Sequence, residues 1–73
     1  MKKYIGMNFR KWCKLDEDDE RKINYKLICS ENGNTEYFTS EDYMDYEYLA
    51  ILRNSTINDV VLKNNEWFIE LIY

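Results

Sequence analysis

The chain has 73 residues, a formal net charge of −4 and an aromatic content of 16%. This length fits one small domain, residues 1–73, with a slim stability margin, so a homodimer is a reasonable expectation. The aromatic content excludes a disordered chain, because disordered segments are poor in aromatic residues. Direct binding to nucleic acid is not expected, because phosphate binding needs Lys and Arg to displace counterions.

Charge is distributed unevenly along the chain. Residues 16–20 are five consecutive acids, and between Lys26 and Arg53 there are six carboxylates and no Lys or Arg. The run 16–20 repels itself and is predicted to be a solvated loop, although it could instead dock a basic partner. The longer tract after Lys26 would attract a basic protein surface.

The chain has two cysteines, Cys13 and Cys29, with no CxxC pair and no histidine, so neither a zinc site nor another cofactor is expected. The beginning of the chain lacks the apolar run of a signal peptide, and no segment is long and apolar enough to span a bilayer. We therefore expect a cytoplasmic protein with reduced thiols. The absence of proline and the many Asn, Lys, Ile and Tyr residues are typical of low-GC bacteria, their phages and their plasmids.

The first predicted element covers residues 5–15, where Ile5, Phe9 and Cys13 are among the apolar residues at odd positions. This alternation predicts a strand with one buried face. The competing prediction is a helix with Ile5, Phe9 and Trp12 on one side. Gly6 favours the strand, because glycine weakens a helix.

A second strand is predicted over residues 22–29, which also alternate, and it leads into Asn32-Gly33. Asn and Gly tolerate the positive φ angles of a type I′ turn, so these two residues are predicted to be the loop of a β-hairpin. Leu27 would then lie opposite Phe38 on one face of the sheet.

A helix is predicted over residues 39–54, with Thr39 or Ser40 as its N-cap and acids in its first turn. Arg53 in the last turn and Asn54 at the end would suit its C-terminus. The residues at helical spacing that should face the sheet are Met44, Tyr48, Ile51 and Leu52.

A second hairpin is predicted from the apolar runs on either side of Asn64-Asn65. Both faces of this hairpin are apolar, and one helix cannot cover both, so one face is available as an interface. The element order is β-β-β-α-β-β: an α+β domain with an antiparallel sheet of about five strands and one helix packed on one face. The predicted cross-strand pairs are Val60–Ile69, Val61–Phe68 and Leu62–Trp67.

Enzyme motifs are missing from the chain. There is no histidine to act as a base, and the two glycines are too far apart for a phosphate-binding loop. The paired carboxylates are predicted to be exposed, without the burial that would tune their pKa. Cys13 and Cys29 fall on the apolar sides of predicted strands, where an inert thiol is expected. We therefore expect a protein that is not an enzyme.

The candidate partner-binding residues are the acids and tyrosines of the second hairpin strand and the helix. One interpretation is a solvated helix face whose tyrosines cover the sheet. The other is an anionic surface on which carboxylates stand in for phosphates and tyrosines provide rigid contact area. The candidate residues are Glu36, Tyr37, Glu41, Asp42, Tyr43, Asp45, Tyr46, Glu47 and Tyr48.

One resemblance bears on this choice. It runs through Asn32-Gly33, the Tyr-Leu-Ala-Ile-Leu-Arg-Asn segment of residues 48–54 and the Ser-Thr-Ile-Asn-Asp-Val-Val segment of residues 55–61. This second half of the chain resembles the small uracil-DNA glycosylase inhibitors of certain Bacillus phages. The resemblance implies a short acidic protein that dimerises and mimics DNA.

In that family a helix aromatic residue preceded by an acid helps to form a pocket for an apolar side chain of the enzyme. Glu47-Tyr48 falls at the matching place, and Glu36 is an approximate counterpart of the family's hairpin acid. Leu52 stands where the family has a second helix aromatic residue.

Together these features predict a small phage- or plasmid-type inhibitor. It would bind a basic nucleic-acid-binding host protein, such as a DNA-repair or defence enzyme, by nucleic-acid mimicry. The anti-CRISPR proteins are another set of small acidic chains consistent with this class. The alternative is a non-catalytic structural or self-assembly module that uses its C-terminal hairpin.

Overall fold

The structure is a computed structural model that describes residues 5–15 and 20–73. Most of the acidic run, residues 16–19, therefore lies outside the described residues, and Glu20 is exposed. The elements in chain order are α1 (Phe9–Leu15), β1 (Ile23–Ile28), β2 (Thr35–Thr39), α2 (Tyr46–Arg53), β3 (Thr56–Lys63) and β4 (Glu66–Ile72).

The strands form one sheet in the order β2-β1-β4-β3. The β1–β2 and β3–β4 pairs are antiparallel hairpins, and the two hairpins join through a parallel β1–β4 pair. The predicted α+β class is confirmed. The finer prediction is wrong, because the described residues form a mixed sheet of four strands with two helices.

The additional helix is α1, where the alternation of residues 5–15 predicted a strand. Phe9 and Trp12 are three residues apart, which places them on one side of a helix, and both are only 2% exposed. A strand would have pointed them to opposite faces of the sheet. Gly6 lies before the helix with φ at +88°, so it does not weaken α1. The competing helix prediction is right for Phe9 and Trp12 and wrong for Ile5, which is exposed.

The β1–β2 hairpin is confirmed, but its register differs by two residues from the prediction. Leu27 pairs with Glu36. Beyond the strand ends the Cys29 amide donates a hydrogen bond to the Asn34 carbonyl at 2.8 Å, so the loop has four residues, 30–33, instead of two. Gly33 alone in the loop has positive φ, and the Asn32 side chain instead accepts a hydrogen bond from the Asn34 amide at 2.9 Å. A shift of two residues keeps each side chain on its own face, so Leu27 and Phe38 still share a face.

Helix α2 begins seven residues later than predicted. Thr39 is the last residue of β2, and the Ser40 hydroxyl accepts a hydrogen bond from the Ile23 amide at 3.0 Å, so neither residue is a cap. Asp45 is the N-cap, since its carboxylate accepts a hydrogen bond from the amide of Tyr48 at 2.9 Å. The C-terminus at Arg53 and Asn54 is as predicted. Of the four residues predicted to face the sheet, Leu52 is buried, Met44 and Tyr48 are half-buried, and Ile51 is exposed.

The β3–β4 hairpin has the predicted turn and the predicted register. Asn64 and Asn65 both have positive φ, at 52° and 63°, as the two-residue turn requires. The observed pairs include Val60–Ile69, Val61–Phe68 and Leu62–Trp67.

The core lies between the helices and one face of the sheet. Its aromatic rings form a continuous series from α2 through the sheet to α1, and such contacts add to the stabilisation from area burial. Neighbouring ring centroids are 4.9 to 5.8 Å apart in the series Tyr48, Phe38, Tyr25, Phe9, Trp12 and Trp67. The aliphatic members of the core are Leu27, Leu52, Ile57, Val60, Ile69 and Leu71.

The opposite side of the sheet, called the open face below, is not covered by either described helix, because both contribute to the core on the other side. In β1 this face consists of Asn24, Lys26 and Ile28, which alternate with the core residues. None of these side chains or their neighbours on the same face is fully buried. The neighbours on the other strands include Tyr37, Thr39, Asp59, Val61, Phe68 and Glu70.

Candidate interaction surface

The nine candidate residues, called the acidic–tyrosine surface below, come from one continuous part of the chain. They lie on the edge strand β2, on the connection of residues 40–45 and in the first turn of α2. All are exposed except Tyr48, which is half-buried. The tract from 36 to 48 therefore presents its acids and most of its tyrosines to solvent, as the sequence predicts.

Glu36 and Tyr48 link β2 to α2. The Tyr48 hydroxyl donates a hydrogen bond to the Glu36 carboxylate, and the Tyr48 ring lies edge-on against Phe38 at 5.1 Å. Partial burial of the phenol, and next its hydrogen bond to the nearby carboxylate, raise the pKa of Tyr48 to about 12. Tyr48 thus anchors the helix to the sheet with its phenol protonated at neutral pH.

Two of the acids hold the backbone of the connection. The Asp42 carboxylate accepts a hydrogen bond from the Thr39 amide at 2.7 Å, at the end of the edge strand. Asp45 caps α2, where a carboxylate satisfies a free amide and meets the positive end of the helix dipole. Both side chains still carry charge at the surface, but replacing either one would disturb the local fold as well as the charge.

Glu41 and Glu47 are the acids of this surface whose side chains make the fewest contacts that stabilise the fold. Glu41 lies 3.8 Å from the ammonium of Lys22, and both side chains are largely exposed, so this ion pair adds little stability. Glu47 is exposed in the first turn of α2 and has no ion pair or side-chain hydrogen bond with any residue that the structure describes. These two carboxylates can be changed without unfolding the surface.

Three tyrosines project from the surface. Tyr37, Tyr43 and Tyr46 are 75%, 93% and 83% exposed, and none contacts another aromatic ring in the described part of the chain. A tyrosine side chain has only two rotatable bonds, so such rings offer contact area at a low entropy cost on binding.

The surface wraps around the edge of the sheet instead of forming one plane. Glu36 and Tyr37 are neighbours on β2 and therefore point to opposite faces. Glu36 lies on the side of the helices with Tyr48, whereas Tyr37 lies on the open face. The sequence showed which residue types occur in this tract but not this division.

Sequence reasoning missed Lys22 and Phe38 as neighbours of the surface. Lys22 approaches Glu41 from a position 19 residues earlier in the chain, and no local pattern could show that contact. The Phe38 ring contacts the Tyr48 ring. Phe38 lies two residues after Glu36, and this period-two spacing was the signal that could have placed both on the same face of β2.

Among residues 5–15 and 20–73 no group of acids and cysteines has the arrangement of a metal site. No helix in the same part of the chain is long and apolar enough to cross a membrane. No protein-family model, curated protein or solved structure matches the chain.

Proposed function

We propose that this protein is a small, non-catalytic inhibitor of the kind carried by phages and plasmids. It binds a basic nucleic-acid-handling protein of a bacterial host, such as a DNA-repair or defence enzyme, and occupies its nucleic-acid site. The observation that carries this proposal is the exposure of three tyrosines beside carboxylates that have no Lys or Arg within residues 27–52.

The chemistry of the surface suits this role. Five carboxylates of the acidic–tyrosine surface, from Glu36 to Glu47, are exposed, and Lys22 is the one cation paired with any of them in the described residues. Such a surface attracts the basic groove of a nucleic-acid-binding protein and raises the association rate. Tyrosines at the centre of the contact would then hold the complex, as aromatic anchors commonly do.

The position of Tyr48 also supports the proposal. The resemblance to uracil-DNA glycosylase inhibitors gives Glu47-Tyr48 the role of forming a pocket beside the helix. Tyr48 is half-buried against Phe38 and held by Glu36, so its ring is a fixed wall at the edge of the sheet. Leu52, at the place of the second family aromatic, is buried in the core and cannot add a second exposed ring. We therefore propose the general mode of binding and leave the target open within this class.

Affinity capture tests the proposal. The protein is immobilised and exposed to a lysate of a low-GC bacterium at low salt, and bound proteins are eluted either with duplex DNA or with raised salt. We expect a nucleic-acid-handling protein that both duplex DNA and salt displace, because screening weakens exposed charge pairs. If the captured proteins resist DNA, or have no nucleic-acid site, the mimicry proposal is wrong.

A second candidate function is self-assembly through the C-terminal hairpin. The observation that favours it is the exposure of Val61 and Phe68, 44% and 42%, which lie opposite each other on the open face of β3–β4. Exposed apolar neighbours of this kind are common where proteins associate. Light scattering coupled to size exclusion tests it, and a monomer at high protein concentration would exclude it.

A further inference from the structure

The open face of the sheet contains a hollow of about 630 Å³. This volume lies within the range of pockets that hold small ligands or several side chains of a bound segment. Residues of the hollow that matter for its chemistry are Lys26, Tyr37, Asp42, Asp59, Phe68 and Glu70.

The strand register places four of these residues in a row across the sheet. Tyr37 pairs with Lys26, Lys26 with Glu70, and Glu70 with Asp59, in the order β2, β1, β4 and β3. Phe68 precedes Glu70 by two residues on β4 and therefore lies in the next row on the same face. The hollow thus has an exposed phenol ring on the edge strand β2 and an exposed phenyl ring nearer the middle of the sheet.

The charges in the hollow do not balance. Lys26 is its one cation, and its ammonium lies 3.2 Å from the carboxylate of Glu70. A hydrogen bond from Asn58, followed by the contact with Lys26, lowers the pKa of Glu70, so this pair stays charged and satisfied at neutral pH. Asp42 and Asp59 have no Lys or Arg partner in the part of the chain that the structure describes. Three carboxylates against one ammonium leave the hollow with a charge of −2.

We propose that this hollow binds an extended basic segment of a partner protein and takes up its arginine or lysine side chains. The aliphatic stem of such a side chain would lie on Phe68 and Tyr37, and its cationic group would meet Asp42 or Asp59. A cation is also attracted by the face of an aromatic ring, so the rings and the carboxylates favour the same side chain. Asp42 and Asp59 each accept a backbone hydrogen bond, from Thr39 and Val60, but an acidic or purely apolar segment would leave both carboxylates without a cationic partner.

This inference deepens the proposed function and rests on it, because Tyr37 and Asp42 belong both to the acidic–tyrosine surface and to the hollow. It adds Asp59 and Phe68, which are not among the nine residues of the acidic–tyrosine surface. It also gives the partner a feature that can be recognised, namely an extended basic segment beside its nucleic-acid site.

The test uses the whole isotopically labelled protein and capped hexapeptides that alternate arginine, glutamine or glutamate with valine. We expect the arginine peptide to shift the amide resonances of Lys26, Tyr37 and Phe68 in a saturable way, and added salt to weaken the effect. The glutamine and glutamate peptides should shift these resonances little. Equal shifts with all three peptides, or shifts that concentration alone produces because two copies associate, would overturn the proposal.

Two charge-matched variants sharpen this test. Asp59→Asn removes a carboxylate of the hollow, and Glu31→Gln removes an exposed carboxylate that belongs neither to the hollow nor to the acidic–tyrosine surface. We expect Asp59→Asn to weaken binding of the arginine peptide by about two- to fivefold, the range of an exposed ion pair, and Glu31→Gln to leave it unchanged. The same loss of peptide affinity in both variants would show an unspecific effect of net charge and would contradict binding in the hollow.

These experiments separate this inference from the proposed function. If the arginine peptide binds in the hollow while no DNA-displaceable protein is captured, the hollow is a binding site for basic segments and the proposed function is wrong. If capture depends on Glu47 and the peptide does not bind, the proposed function is supported and the inference about the hollow is wrong.

Discussion

Six aromatic rings lie in contact from α2 through the sheet to α1, whereas Tyr37, Tyr43 and Tyr46 project into solvent beside them. The first group is made by five elements, α1, β1, β2, α2 and β4, which are spread along the chain. The second comes from ten consecutive residues, 37–46, which also carry three acids and no base. A ring buried in the core stabilises the fold, and an exposed ring does not.

The difference between these two groups separates rings that stabilise the fold from rings that we propose to recognise a partner. The domain is small, so its stability depends heavily on the buried rings. The exposed tyrosines contribute no ring contacts to that core. They lie instead among carboxylates on the solvent-exposed surface. Tyr48 belongs to both groups, since its ring continues the buried series and its hydroxyl contacts the surface acid Glu36. Variants can therefore break one group while leaving the other intact.

The largest effect is expected in the buried group. Trp12→Ala removes a ring that is 2% exposed and contacts Phe9 and Trp67, and it should lower the free energy of unfolding by about 3–5 kcal/mol. Tyr43→Ala, which removes a ring that is 93% exposed, should stay within about 0.5 kcal/mol of the wild type. Urea denaturation followed by circular dichroism measures both. Similar losses of stability in the two variants would contradict the division into buried rings that stabilise the fold and exposed rings that do not.

A smaller loss of stability is expected at the helix cap of the surface. Asp45→Ala leaves the Tyr48 amide without its side-chain acceptor and should cost about 1 kcal/mol. Glu47→Gln, two residues later in the first turn, should change stability by only a few tenths of a kcal/mol. Denaturation of the two variants under identical conditions gives the comparison, and an unaffected Asp45→Ala variant would exclude the cap.

The link between the two groups should appear at high pH. The pKa of Tyr48 is about 12, above the ordinary value of 10.0, because folding favours the protonated phenol. Its contribution to stability is therefore complete below pH 10 and is lost as the pH rises through about 12. Burial also raises the pKa of Tyr73, so absorbance titrations of the wild type and Tyr48→Phe are compared, and the variant should lack one late-ionising tyrosine. The control Tyr46→Phe, on the same helix but exposed, should keep it.

The smallest effect is expected on the open face. The lowered pKa of Glu70 means that its carboxylate stabilises the fold above the ordinary pKa of 4.5, and this stabilisation is lost as the pH falls through the lowered value. Glu70→Gln should therefore reduce stability at pH 7, by well under 1 kcal/mol given the exposure of Lys26, and by less near pH 3. Thermal unfolding at both pH values measures it. A larger loss at pH 3 would reverse the predicted sign.

The sequence predicted the two hairpins unequally well. At Asn64-Asn65 both residues take positive φ, so the turn and the register followed from local chemistry. At Asn32-Gly33 only the glycine has positive φ. The Asn32 side chain accepts a hydrogen bond from the Asn34 amide, and the loop has four residues. An Asn-Gly pair in a sequence does not show which of these hydrogen bonds will form.

The helices and the strand order depended on contacts beyond the local pattern. Residues 5–15 allowed both a strand and a helix, and Gly6 favoured the strand. The contacts of Phe9 with Tyr25 and of Trp12 with Trp67 fit the helix, and the local pattern could not show them. The parallel pairing of β1 with β4 joins residues more than 40 positions apart and leaves no local signal. The residue types of the acidic–tyrosine surface were visible in the sequence. The hydrogen bond of Asp42 to the end of β2 and the capping role of Asp45 depend on where β2 ends, which the sequence did not predict.

The central claim is that the acidic–tyrosine surface recognises a nucleic-acid-handling partner. Capture from a low-GC bacterial lysate tests it most directly when Glu41→Gln/Glu47→Gln is compared with Glu20→Gln/Glu31→Gln. Each double variant removes two exposed carboxylates, so both have the same net charge. We predict that the DNA-displaceable partner is lost with the first variant and kept with the second. Equal capture of that partner by both variants would contradict the claim.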